Sequence, residues 1–270
     1  MVRAWMCFAF CASVAWGQSF EVVSIKPAAP QRTDGRYFSG CPNRNPARIT
    51  CSNMALPRMI AIAYQISAPR ISGLKPPYPA YDIIANLPDG TTKEQIQVMW
   101  QNLLAERFHL AVHRETKVVS AYVLTVAKGG LKAKESAAQP ESDAGEEIPI
   151  AGPRLDADGF PIVAPGGNIV IYKNNAAHFA AASWTMEQLV SWLEVRLEAD
   201  TKENRPVVDA TGLIGKYDFK VMFALGMVSP GDVPELPNAL ESQLGLKLEQ
   251  KQTRIEILVV DHADKSPIEN

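Results

Sequence analysis

Apolar positions along this chain follow two rhythms. From 93 to 108, KEQIQVMWQNLLAERF places Ile96, Met99, Trp100, Leu103, Leu104 and Phe108 three and four residues apart, which predicts a helix with one apolar stripe. The following HLAVHRETKVVSAYVLTVAK changes to a period of two. Leu110 and Val112 share one side of a strand, and Val119, Ala121 and Val123 share one side of the next. The pattern over 92–128 therefore predicts a helix that hands the chain to a strand pair.

The rhythm returns. Tyr81-Asp82-Ile83 matches Tyr217-Asp218-Phe219 at an offset of 217 − 81 = 136 residues. The same offset carries Leu104 onto Leu240, Phe108 onto Leu244, Leu110 onto Leu246, Val112 onto Leu248, Val119 onto Ile255, Ala121 onto Ile257 and Val123 onto Val259. An upstream helix recurs at an offset of 130, with Leu56, Met59, Ile60 and Ala63 against Met186, Leu189, Val190 and Leu193. Read as an internal duplication, this predicts an α+β protein of two tandem, hairpin-rich repeats, over 18–131 and 168–270. Each repeat is expected to pack two helices on a mostly antiparallel sheet. Between them, 132–167 holds seven acidic residues and five prolines with few apolar side chains, the composition of a linker or long loop.

The other expected elements are short. FEVVSIK (20–26), YDIIANL (81–87), NIVIY (168–172) and YDFKVMF (217–223) read as strands, and 55–65 and 184–197 as helices. Thr91 or Thr92 can cap the helix that follows it, and Gly245 is a left-handed stop for a helix over 236–244.

Composition narrows the class. With 47% apolar and 21% charged residues, the chain can build packed cores and a soluble surface. Its formal charge of −2 and lack of a long basic run argue against nucleic acid and against anionic lipid as partners. Residues 1–17 read as a signal peptide: Arg3 precedes an apolar run from Ala4 to Trp16, and Ala15 and Gly17 suit cleavage before Gln18. The run is shorter than the roughly 20 residues of a membrane-spanning helix, so no stable span is expected after cleavage; a retained anchor is the alternative. Cleavage would leave two of the four cysteines, Cys41 and Cys51, which an oxidising compartment would join as a disulfide; free thiols are the alternative.

Taken in order, FEVVSIKP, ITCSNMALPRMIAIAY, RISG, YDIIANLPDGTTKEQIQVMWQNLLAERFHLAVHRETK, YVLTVAKGGLK, PVVDATGLIGKYDF and VVDHADKSPIEN resemble the soil-associated acidobacterial paralogous family, a domain of unknown function. The resemblance runs from about residue 20 to the C-terminus and thins across 132–167. It implies an exported protein with no assigned activity and no catalytic residues to carry over. Similar domains occur joined to membrane metallopeptidase sensors, which points to extracytoplasmic sensing or binding.

Candidate chemistry is sparse. His109 and His113 have a helical metal-ligand spacing, but on a strand they stand roughly 13 Å apart and cannot share one ion. Ser72-Gly73-Leu74-Lys75 matches S-x-x-K, yet Gly73 and Pro76-Pro77 oppose the helical turn that would bring the amine to the hydroxyl. Asp261 and His262 are strand neighbours on opposite faces and form no dyad with each other. His178 stands alone, and Arg107 and Arg114, matched by Gln243 and Gln250, read as local surface charges. No G-x-S-x-G, H-E-x-x-H or G-x-x-x-x-G-K is present, so neither a metal nor a cofactor is expected. The recurring pairs Tyr81-Asp82 and Tyr217-Asp218 are the candidate paired feature. Their bland alternative is a buried Tyr with its hydroxyl satisfied and an Asp that caps a turn.

These readings favour an exported, non-enzymatic binding module of the cell envelope, whose partner is a peptide, a cell-wall fragment or another envelope protein. A hydrolase whose site assembles only in three dimensions, such as His113 with a carboxylate, and a structural envelope protein are the alternatives. Export is directly measurable. Intact mass of the secreted chain should show loss of residues 1–17, and a mature chain that retains Met1 would refute cleavage.

Overall fold

The computed structural model describes residues 19–28, 39–41, 45, 47–136, 153–201, 204–225 and 233–268. The expected leader (1–17) lies outside these residues, as does 137–152 of the acidic stretch. In chain order the elements are β1 (Val23–Pro27), β2 (Arg48–Ala55), α1 (Leu56–Tyr64), a 3-10 turn (Ala68–Arg70), β3 (Ile71–Ser72), β4 (Ala80–Asn86), α2 (Lys93–Phe108) and β5 (Ala111–Val126). There follow β6 (Lys134–Glu135), β7 (Asn168–Lys173), β8 (Ala176–Trp184), α3 (Met186–Thr201), β9 (Val207–Asp209) and β10 (Tyr217–Ala224). Last come α4 (Leu236–Ala239), a π turn (Leu240–Leu244) and β11 (Leu246–His262).

The chain divides into two compact units, Met1–Glu115 with Leu258–Asn270, and Thr116–Ile257. In the first, β1-β4-β2 form an antiparallel sheet in which Ile83 stands opposite both Ile25 and Cys51. Met54, Met59, Ile60, Ile83, Trp100, Leu104 and Phe108 are buried against it. Phe20 meets Trp100, and Tyr81 meets Phe108, edge to face at 5.7 Å. The start of α2 is fixed by a reciprocal capping box: Gln95 N–H donates to Thr92 Oγ1, and Thr92 N–H donates to Gln95 Oε1. Gln101 donates from Nε2 to the Ala63 carbonyl at the end of α1, which ties the two helices together.

In the second unit β6-β10-β8-β7 form an antiparallel sheet. Phe179, Trp184, Leu189, Leu193, Phe219, Phe223 and Leu240 fill its core, and Trp192 stacks on Phe179 with ring centres 3.9 Å apart. Glu194 of α3 is a buried carboxylate, and Val207 N–H of β9 donates to its Oε1 at 2.8 Å. The amide of Gln243 makes both hydrogen bonds to the Met222 backbone, which joins the π turn to β10.

This organisation corrects the expected pair of tandem, hairpin-rich repeats. Among the described residues there are four α-helices and three sheets, and the third sheet, β3-β11-β5-β9, includes parallel pairs β3–β11 and β5–β9. The units are nested in sequence, because the first takes back the C-terminal residues from Leu258 onward. The stretches expected to be hairpins are single strands of 16 and 17 residues, β5 and β11. Polar positions such as Glu115 and Lys117, or Gln250 and Lys251, resemble turns in sequence but are exposed strand. The matching hydropathy had a simpler cause. Leu104 and Leu240 are both fully buried, yet in different cores. Periodicity reports that a position faces a core and does not say which one. The last helix also differs from α2: it has four residues and passes into a π turn before Gly245, which has φ of +68°.

Cys41 and Cys51 form a disulfide, with Cα atoms 4.0 Å apart. It closes a loop of ten residue steps and should stabilise the chain by up to about 3 kcal/mol. Urea unfolding with and without reductant should show that difference. Two readily alkylated thiols in the native, unreduced protein would exclude the bond.

Candidate functional site

The end of α2 organises the polar chemistry of the first unit. A helix leaves its last carbonyls without partners, and here the C-terminal tail supplies them. Asp264 N–H donates to the Phe108 carbonyl at 2.7 Å, and Ile268 N–H to that of Arg107 at 2.8 Å. Arg107 Nε donates in turn to the Ile268 carbonyl, and Tyr81 Oη donates to that of Lys265. Arg107, expected to be a plain surface charge, thus fastens the tail. His109 then ends the helix in the left-handed conformation, φ +46°.

This docking gathers three of the chain's four histidines beside two aspartates. His109 Nδ1 lies 2.6 Å from Asp264 Oδ2, and His262 Nε2 lies 3.3 Å from Asp264 Oδ1. His113 Nδ1 lies 2.9 Å from Asp261 Oδ2, with both side chains about half exposed, at 51% and 50%. An ionised carboxylate can only accept, so Nδ1 of His109 and of His113 donates to it. The His109 hydrogen bond above all, helped by the charges of His109 and His262, holds the Asp264 carboxyl below its ordinary value. Its folded form favours ionisation, so the stability it adds is present above the usual carboxylate range and is lost as pH falls through the lowered value.

Beside this cluster is a cavity of about 250 Å³ lined by Leu56, Leu74, Val260, Ala263, Lys75, Tyr78, Lys265, Asp261, His262 and Gly73. Gly73 has φ of +91°, and a Cβ there would collide with the Val260 carbonyl oxygen. The loop after β3 can therefore lie against β11 only with glycine at this position. Lys75 and Lys265 have no ion-pair partner among the described residues. The cavity lining thus combines two lysines and a tyrosine with the Asp261 carboxylate, His262 and four apolar side chains. Also among the described residues, no three His, Cys, Asp or Glu side chains are placed to hold a metal ion, and no helix is long and apolar enough to cross a membrane.

The Tyr-Asp pairs are each drawn into local architecture. Asn53 and Ser183 sit in register shifts of β2 and β8 with φ of +54° and +55°, an unusual conformation for residues other than glycine. Asn53 N–H donates to Asp82 Oδ1 at 2.8 Å, and Ser183 N–H donates to Asp218 Oδ1 at 2.9 Å. Each aspartate thus satisfies a backbone group that the irregular strand leaves without a ladder partner. Tyr81 and Tyr217 are buried beside them. Asp218 also lines a second cavity, of about 590 Å³, with Lys134, Glu135, Ser136 and Ser183, and the Ser136 hydroxyl donates to it.

Other singled-out residues stay apart from this chemistry. Ser72 ends β3 and Gly73 turns the chain, so Lys75 is not one helical turn from the Ser72 hydroxyl. His178 lies on β8 of the second unit, edge-on to Phe160 at 5.4 Å. Asp261 and His262 do not pair with each other; Asp261 meets His113 instead. Sequence reasoning missed Asp264, Lys265 and Tyr78. For Asp264 and Lys265 the one signal was the alternation of charge in VVDHADK; Tyr78, in the proline-rich loop KPPYPA, had none.

The strand clips give a stability prediction. Asp82→Ala and Asp218→Ala should each cost about 1–3 kcal/mol, the penalty for a part-buried donor left unpaired. The Asp→Asn variants keep an acceptor oxygen and should cost less. Chemical denaturation of the four variants compares them, and equal losses for Ala and Asn would remove the clip as the cause.

No curated protein and no solved structure matches the chain. The family described as "Protein of unknown function (DUF3738)" matches residues 57–263, from the first turn of α1 to one residue beyond β11. That match takes in both units' helices together with the histidine–aspartate cluster as far as His262. By this extent the chain belongs to the DUF3738 family.

Proposed function

We propose that this chain is an exported, non-enzymatic binding module of the cell envelope, and that its first unit receives the carboxylate-bearing end of a peptide or cell-wall fragment. The observation that carries this reading is the cavity where Lys75 and Lys265, without an ion-pair partner among the described residues, share the lining with Leu56, Leu74, Val260 and Ala263. Two ammonium groups and the Tyr78 hydroxyl offer donors to a carboxylate, and the apolar lining suits the apolar side chain next to it. At about 250 Å³ the cavity is smaller than the roughly 300–1,000 Å³ of pockets that enclose a whole ligand, so it suits one end group. The leader-like first 17 residues and the disulfide support export. The resemblance in sequence supports placement among acidobacterial paralogues.

One observation favours the hydrolase reading. Asp261 lines the cavity and orients His113, whose neutral imidazole can act as a base. Calorimetry with N-acetyl-alanyl-alanine and its C-terminal amide tests the binding reading. The acid should bind, the amide should bind at least about tenfold more weakly, the difference of one charged contact worth roughly 1.4 kcal/mol, and Lys75→Ala with Lys265→Ala should abolish the preference. Equal affinity for acid and amide would refute it. Peptide cleavage that His113→Ala removes while leaving binding intact would instead establish the hydrolase.

A further inference from the structure

We propose that the outer edge of β7 pairs with β7 of a second copy of this chain, antiparallel and centred on Val170. Among the described residues β7 is the edge of its sheet, with β8 as its one neighbour. The two strands are joined by Asn174-Asn175, whose φ angles of +50° and +62° are those of a two-residue type I′ turn. Such a turn makes its flanking pair, Lys173 and Ala176, a hydrogen-bonded one, and the alternation of an antiparallel ladder then assigns Ile171, Ile169 and Gly167 to β8. The bond from Ala182 N–H to the Gly167 carbonyl fits that phase. The N–H and C=O of Asn168, Val170 and Tyr172 therefore point away from β8, toward the open edge.

The edge has few of the devices that block pairing. It holds no proline and no bulge, and its one charge, Lys173, is at the end. A two-fold axis normal to the sheet keeps the core face of both copies on the same side, which requires residues of like phase to oppose each other. Centred on Val170, the register sets Val170 against Val170, Ile169 against Ile171, and Asn168 against Tyr172. The three outward residues of each copy then exchange six main-chain hydrogen bonds. β-branched side chains meet across the seam, and Lys173 falls opposite Gly167, so no like charges are opposed. Tyr172 is 64% exposed in the single chain and would gain a neighbour.

Sedimentation equilibrium of the mature chain tests this. The wild type should reach twice the chain mass with rising concentration, and the amides of Asn168, Val170 and Tyr172 should gain hydrogen-exchange protection in step. Asn168→Lys with Tyr172→Lys sets lysine against lysine at both ends of the seam and should give a single copy. Asn168→Asp with Tyr172→Lys sets opposite charges against each other and should restore the pair. Both positions are exposed, and matching circular dichroism spectra of all three proteins, taken at a dilution where each is a single copy, confirm that the fold is unchanged. A wild type that stays single at millimolar concentration overturns the proposal, as does a dimer that survives the double-lysine change. Protection that arises only when another protein's extended segment is added would assign the edge to that partner, and overturns the second copy equally. None of these outcomes bears on the carboxylate preference of the first unit, so the two readings fail separately.

Discussion

Two strands serve two cores, and much else in the protein follows from that constraint. Leu110, just ahead of β5, and Leu258 and Val260 of β11 are buried in the first core; Leu124 of β5 and Leu246 of β11 are buried in the second. The boundary between units falls inside both strands, after Glu115 and after Ile257. β5 is exposed around its boundary, from His113 to Lys117, whereas β11 passes from one unit to the other between two buried residues, Ile257 and Leu258. The first unit is consequently incomplete without residues contributed by the far end of the sequence.

That return of the chain creates the polar site. The tail satisfies the open carbonyls at the end of α2, a purely structural need, and in doing so brings Asp264 to His109 and His262. Burial excludes none of these groups from water, and exposed pairs of this kind add little to stability by themselves. Their consequence is geometric: imidazoles held by carboxylates, next to a small cavity lined by Lys75 and Lys265. In both units a Tyr-Asp pair repairs an irregular strand. Side-chain carboxylates here stand in for missing ladder partners, so a recurring polar pair in sequence reflects the shape of its neighbouring strand.

Much of the local structure was legible. Apolar spacing located α2 and the strand positions of β4, β7 and β10, because one-sided burial imposes a period of 3.6 or 2 on any element that packs. Thr92 and Gly245 marked helix ends, since capping chemistry is local. Cys41 and Cys51 announced their bond by their even pairing either side of a turn-rich stretch. The site was far less visible: Asp264 and His109 are 155 positions apart, and nothing in the spacing of either predicts the other.

The sequence by itself determined which positions are buried, where helices begin and end, and which residue types could carry charge. Those properties depend on neighbours within a few residues. Tertiary structure alone decided that β5 and β11 run straight through polar stretches that resemble turns, and that burial in one pattern belongs to two cores. It also decided that Asp261 answers to His113 rather than to His262, and that β7 is left with an open edge. Each of these is set by long-range strand pairing, where a hydrogen-bonded ladder satisfies polar backbone groups however far apart they lie in the chain.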